Sequence, residues 1–301
     1  MHIRYHAALA IALAAATLAM QAQAQVYNFT ALTGFNGDGT VAVGINNSGE
    51  IIGVDNHPGS SSQAVTWTLD GSVSAMPLLP GTTGATPESI NDHGQIVGVS
   101  YASGGARQAT LWNSGTPTTL TPPDGSTSTT AVAINNAGQI YGYGATVNVP
   151  TATDTVSTVL WSPAGVPTVQ STGPYDVAPT KDCTLFASAC GRNGLNEQVG
   201  EGGLTSGPLA GHAILRTSLG FALDLNTLVP LDVNASGWVL KYAFGINNLG
   251  QIVGEAVNTS TGVTEGYLLT PTSVPEAPAS AMFMLGLGGM GCLLRRRKTL
   301  G

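Results

Sequence analysis

The chain has 301 residues and a mass of 30.5 kDa, with 43% apolar residues, 9% charged residues and 40 glycines. So few charges beside so much apolar surface exclude charge-driven disorder, and the glycine load opposes an architecture of long helices. A chain of this length supports one large domain or two ordinary ones with a buried core.

The first element is a leader over residues 1–24. Arg4, flanked by His2 and His6, precedes an apolar run over 7–20 and then Ala22-Gln23-Ala24. That order is a secretory signal with an A-x-A cleavage site at Ala22 and Ala24, and it predicts a mature start at Gln25. The apolar run is too short to favour an uncleaved anchor.

Between the leader and the tail the chain repeats. The copies are 44–53 (GINNSGEIIG), 89–98 (SINDHGQIVG), 133–142 (AINNAGQIYG), a worn 191–200 (GRNGLNEQVG) and 245–254 (GINNLGQIVG). From closing glycine to closing glycine the steps are 45, 44, 58 and 54 residues. Asn and Gly tolerate the positive φ of tight turns, so each copy predicts a strand–turn–strand hairpin. Gly49, Gly94, Gly138 and Gly250 hold one turn register, as do Asn46, Asn91, Asn135, Asn193 and Asn247, whose amides are suited to bond the turn backbone. The closing glycine fits a strand end or a close backbone approach.

An apolar strand follows each hairpin, ending in Trp67, Trp112 and Trp161 in the first three copies. Looser versions sit at His212-Ala213-Ile214-Leu215 and Gly266-Tyr267-Leu268-Leu269. A third apolar segment closes most units. Four short strands in ~45 residues is the pattern of a propeller blade. The expected fold is all-β, a β-propeller-like ring of about five four-stranded repeats over 25–272. The last unit lacks a strand of its own, and 26–32 (VYNFTAL) is strand-like. It is expected to pair beside 266–269 and close the last blade, with Tyr27 and Phe29 turned inward by the period of two.

These units resemble the HAF repeat of bacterial extracellular proteins over 41–270, through the I-N-x-x-G-Q-I-V-G element and the partial His212-Ala213-Ile214. The resemblance implies an exported repeat protein and no activity.

The fourth unit carries an insertion with Cys183 and Cys190, a disulfide candidate in an oxidising compartment. Cys292 reads as an apolar residue.

The tail, 273–301, holds Val274-Pro275-Glu276-Ala277-Pro278, an apolar segment over 279–294, and Arg295-Arg296-Arg297-Lys298. Sixteen residues span roughly 24 Å as a helix, short of a ~30 Å hydrocarbon core. The basic cluster is expected to stay cytoplasmic. This tripartite end resembles the PEP-CTERM sorting signal of Gram-negative bacteria. The resemblance implies recognition by an exosortase, a short transmembrane helix and a transient inner-membrane anchor, with Ala277 standing where the family usually has proline.

Residues 25–278 carry five basic against seventeen acidic residues, a net charge of −12. Such a surface repels nucleic acid and anionic membranes. The sequence holds no G-x-S-x-G, H-E-x-x-H or phosphate loop, and no cofactor or metal is expected. His57, His93 and His212 are scattered, with His93 read as an exposed turn residue. Asp92, beside Asn91, is read as a turn cap rather than a calcium ligand. Glu50, Glu88, Glu201 and Glu255 are the carboxylates a ring could gather for hydrolysis.

The leading functional reading is an exported non-enzymatic surface or matrix protein, handled by the secretion machinery and an exosortase and associated with extracellular polysaccharide or biofilm. A carbohydrate- or protein-binding propeller is the alternative, and an extracellular polysaccharide hydrolase the second alternative.

Overall fold

Alternating apolar residues on either side of an Asn-Gly turn produce the same antiparallel meander wherever they recur. The computed structural model describes residues 26–35, 37, 39–56, 62–146, 155–174, 191–202, 209 and 211–272. Ala22, Ala24, the motif 274–278, the span 279–294, the basic cluster 295–298, His57 and the cysteines Cys183, Cys190 and Cys292 lie outside the described residues. Residues 27–271 form one compact unit. Among the described residues no helix is long and apolar enough to cross a membrane.

The first repeat is a sheet of β2 (Thr40–Ile45), β3 (Ile51–Asp55), β4 (Gln63–Trp67) and β5 (Val73–Ala75), in that order. The second is β6 (Thr82–Ile90), β7 (Ile96–Ala102), β8 (Arg107–Asn113) and β9 (Thr116–Thr119). The third is β10 (Ser128–Ile134), β11 (Ile140–Thr146), β12 (Thr155–Trp161) and β13 (Pro167–Pro174). The fifth sheet has the order β1 (Tyr27–Leu32), β19 (Thr264–Pro271), β18 (Ile252–Asn258) and β17 (Trp238–Ile246). The N-terminal strand therefore closes the last sheet as expected, with Tyr27 opposite Pro271 and Leu32 opposite Gly266. Tyr27 is buried, and Phe29 packs on Tyr267 and Trp238.

The fourth repeat shows three strands among the described residues. Its sheet is β14 (Gln198–Glu201), β15 (Ala213–Arg216) and β16 (Ala222–Asp224), followed by a 3-10 turn and a short helix. Ahead of β14, Arg192 bridges Gln198, and residues 175–190 lie outside the described residues. Four of the five antiparallel sheets thus have four strands, and the fourth has three among the described residues.

Neighbouring sheets share cores because alternate residues of each strand point opposite ways. Ile51 joins Leu32, Trp67, Val253 and Leu268 between the fifth and first sheets, whereas Ile52 joins Ala64, Ile90 and Trp112 between the first and second. Trp161 packs with Val97 and Leu120 between the second and third, and Tyr27, Leu215 and Ile252 lie between the fourth and fifth. First strands pack on first strands in sequence, β17 on β2 and β2 on β6, then β6 on β10, which gives a propeller-like arrangement.

The closing glycines have a steric cause. The first strand carries a bulge opposite each of them, between Ala42 and Gly44, Pro87 and Ser89, Ala131 and Ala133, and Ala243 and Gly245. A bulge re-aims the local backbone, and a Cβ on Gly98 would fall 2.1 Å from the Thr86 carbonyl oxygen. Gly200, in the sheet with three strands among the described residues, has no atom of those residues within 4 Å of its Cβ position.

Candidate functional site at the ring axis

The five hairpin turns meet around one cavity of about 240 Å³. Each turn is built by its asparagine. Asn46 Oδ1 accepts from the Ser48 and Glu50 amides at 3.1 and 2.9 Å, and Asn91, Asn135, Asn193 and Asn247 do the same in their own turns. The expected turn bonding holds in every copy. The following glycine has φ between +71° and +82° in Gly49, Gly94, Gly138 and Gly250, and in the worn copy Asn196 takes the same role at +62°.

The asparagine amide group does more than the sequence reading assigned to it. One Nδ2 hydrogen goes to the acidic or amide side chain four residues on: Glu50, Gln95, Gln139, Glu197 or Gln251. The other goes to the next turn's carbonyl. Asn46 donates to Asn91 O at 3.3 Å, Asn91 to Asn135 O at 3.1 Å, Asn193 to Asn247 O at 3.1 Å, and Asn247 to Asn46 O at 3.0 Å. These four asparagines are buried and satisfied at all four valences.

A second series runs one residue later. The main-chain N–H of Asn47 donates to Asp92 Oδ1, that of Asp92 to Asn136 Oδ1, that of Gly194 to Asn248 Oδ1, and that of Asn248 to Asn47 Oδ1. Asp92 is therefore not the cap of its own turn, as the sequence suggested, but of the preceding repeat's, and it also accepts from the side-chain amides of Asn47 and Asn136. Partial burial pushes the Asp92 carboxyl up, but these three donors together hold it below the usual aspartate range.

Both series break once, between the third and fourth repeats. Asn135, half-buried where its counterparts are buried, does not reach Asn193, and the Asn136 N–H has no acceptor among the described residues. The second break has a plain cause: the residue due to supply the oxygen is Gly194, which has no side chain.

The fourth copy differs at one more axial position. Ile45, Ile90, Ile134 and Ile246 precede their asparagines and line the cavity; in the fourth copy the residue is Arg192. Its Nε is buried and without a partner among the described residues. Aligning the five copies and asking which residue breaks the column finds both Arg192 and Gly194. Reading each copy by its agreement with the others passes over them.

The carboxylates singled out in the sequence do not converge here. Glu88 and Glu201 are exposed on strands, Glu255 lies mid-strand in β18, and Glu50 is bonded within its own turn. Burial raises the Glu50 and Glu255 carboxyls, and at Glu50 the Asn46 bond opposes it. His93 is exposed in its turn, and His212 Nδ1 lies 2.7 Å from Asp224 Oδ2. The three repeat tryptophans are core residues, at most 1% exposed, with Nε1–H bonded to the carbonyls of Thr33, Pro77 and Thr121.

No protein-family model and no curated protein matches the chain. Among solved structures it is similar to the crystal structure of TolB from Acinetobacter baumannii, at 13% identity and a TM-score of 0.33, over 79% of this chain. The match spans 56% of that protein's chain.

Proposed function

We propose that the chain is an exported, non-enzymatic surface or matrix protein whose propeller-like body serves as a rigid scaffold. The observation that supports this is the fate of the recurring polar residues. Asparagine and the acidic or amide residue four positions on recur and bond to one another in all five repeats, and in four of them the asparagine also bonds to the adjoining turn. A motif spent in this way specifies a ring and leaves no side chain for acid–base or nucleophilic work.

Address follows from the ends of the sequence. In this reading the secretion machinery removes residues 1–24, the tail anchors the chain transiently in the inner membrane, and an exosortase acts at 274–278. The mature protein is then delivered to the surface, in contact with extracellular polysaccharide. Mass spectrometry of the mature chain from an exosortase-bearing host should find Gln25 at the N-terminus and no basic 295–298 cluster. Replacing Pro275 and Glu276 should trap a larger membrane-bound form; normal release of that variant sinks the sorting assignment. New reducing ends from acidic or neutral polysaccharides incubated with the purified chain would sink the non-enzymatic one.

A further inference from the structure

We propose that the axial cavity is a binding site for a sugar acid, with the carboxylate placed at the junction of the third and fourth repeats. This is independent of the export and sorting reading.

At four of five positions around the axis, a main-chain N–H one residue past the turn asparagine is engaged. Its partner at those junctions is the side-chain oxygen of Asp92, Asn136, Asn248 or Asn47. At the fifth position Gly194 supplies no oxygen, and the N–H of Asn136, which lines the same cavity, has no acceptor among the described residues. A ligand carboxylate oxygen can take the place of the missing side chain. The charge preference at this junction comes from Arg192, the cation among the lining residues, whose guanidinium replaces an isoleucine and whose Nε has no partner among the described residues, while the carboxylate of the lining, Asp92, is held by Asn47 and Asn136. Guanidinium and carboxylate match as planar partners, and the match is strengthened where water is partly excluded.

The rest of the cavity selects a hydroxylated body. Among the described residues, the break in the ring leaves one Asn135 Nδ2 hydrogen as a donor and the Asn193 carbonyl accepting from Asn196 alone, with a second lone pair to offer. A donor and an acceptor lining one cavity suit a hydroxylated ligand, and Ile45, Ile90, Ile134 and Ile246 offer an apolar surface to a ring face. A volume of about 240 Å³ is on the order of eight water volumes, room for one monosaccharide.

The test is calorimetric titration of the purified full chain at low salt with glucuronate, glucose and glutamate. Glucuronate should bind, and glucose, which has a hydroxymethyl group in place of the carboxylate, should bind at least about tenfold more weakly, as expected for loss of a charged hydrogen-bonded pair. Glutamate should also be weaker; equal affinity for it overturns the sugar-acid assignment. Two variants locate the site. Arg192→Ile restores the repeat's consensus and removes the charge. Gly194→Asn supplies the missing oxygen; its Cβ comes 2.9 Å from Asn248 Oδ1, the acceptor of the residue 194 N–H, so the Asn248 side chain must shift by a few tenths of an ångström. Each should lower glucuronate affinity about tenfold or more in a chain that still folds, and Arg192→Ile should hold or raise the melting temperature. No glucuronate binding by the unaltered chain, or undiminished binding by both folded variants, overturns the proposal.

Discussion

Asn247 of the fifth repeat donates through Nδ2 to the main-chain carbonyl of Asn46 in the first, 3.0 Å away and 201 residues earlier in the chain. The bond joins two buried residues and repeats, at the join between chain ends, the link that Asn46 makes to Asn91. Asn247→Ala removes four bonds and leaves buried turn amides unpaired, a loss of about 3 kcal/mol. Asn135→Ala removes a residue without the inter-turn bond and in a more open setting, so its loss should be about 1 kcal/mol smaller. Urea unfolding of the two variants checks this, and equal losses would show that the inter-turn link contributes nothing.

The closing glycines divide by whether a bulge lies over them. Gly98→Ala places a methyl 2.1 Å from a carbonyl oxygen and should cost at least about 3 kcal/mol or prevent folding. Gly200→Ala meets no atom of the described residues within 4 Å, and it should be neutral or stabilise by about 0.5 kcal/mol through the unfolded chain. Thermal melts separate them; a comparable loss at Gly200 would place a first strand against it.

Tyr27 is fully buried, its hydroxyl has no partner among the described residues, and burial with the Glu197 charge nearby pushes that hydroxyl's pKa up. Tyr27→Phe removes an unsatisfied group and keeps the ring in its core. It should raise stability by about 1 kcal/mol. A loss of stability would mean that the hydroxyl has a partner.

Glu50 stands where three other repeats have glutamine. Its carboxyl is raised, chiefly by burial, so the folded state holds that proton more tightly than the unfolded one. The sign follows by linkage: the proton favours folding below the ordinary carboxylate range, and the advantage is lost as pH rises through the raised value. Glu50→Gln should therefore be more stable than the parent at pH 7, by about 0.5 kcal/mol after allowance for solvent screening. The difference should vanish near pH 4. A pH-independent difference would assign the gain to packing instead.

Asp92 has the opposite sign. Its depressed carboxyl stabilises the fold above the ordinary aspartate range, and that contribution disappears as pH falls through the depressed value. Asp92→Asn keeps an oxygen for the Asn47 N–H, as Asn136 and Asn248 do at their own junctions. The variant should show a shallower acid-unfolding limb than the parent; superimposable limbs would remove Asp92 from the account.

Much of this was readable from local chemistry. An Asn-x-x-Gly turn between β-branched strands has one low-energy solution, so the hairpins, their asparagine caps, the inward face of Tyr27 and Phe29, and the burial of Trp67, Trp112 and Trp161 followed from residue type and period. The pairing of β1 with β19 followed from a strand deficit in the last repeat.

One local reading failed for a spatial reason. Asp92 looked like a cap for its own turn, since sequence proximity is all a single chain displays, while its acceptor role lies 45 residues away at Asn47.

Sequence alone determined the units, because turns and strand periodicity are short-range and each repeat carries its own instructions. The ring bonds among Asn46, Asn91, Asn193 and Asn247, and the single interruption where Gly194 lacks an oxygen, were decided only in the tertiary structure. Those contacts join turns that only the packing of neighbouring sheets brings within 3.3 Å of one another. The same packing sets Arg192 among four isoleucines from four other repeats, and turns an irregular letter in a worn copy into a charge on the axis.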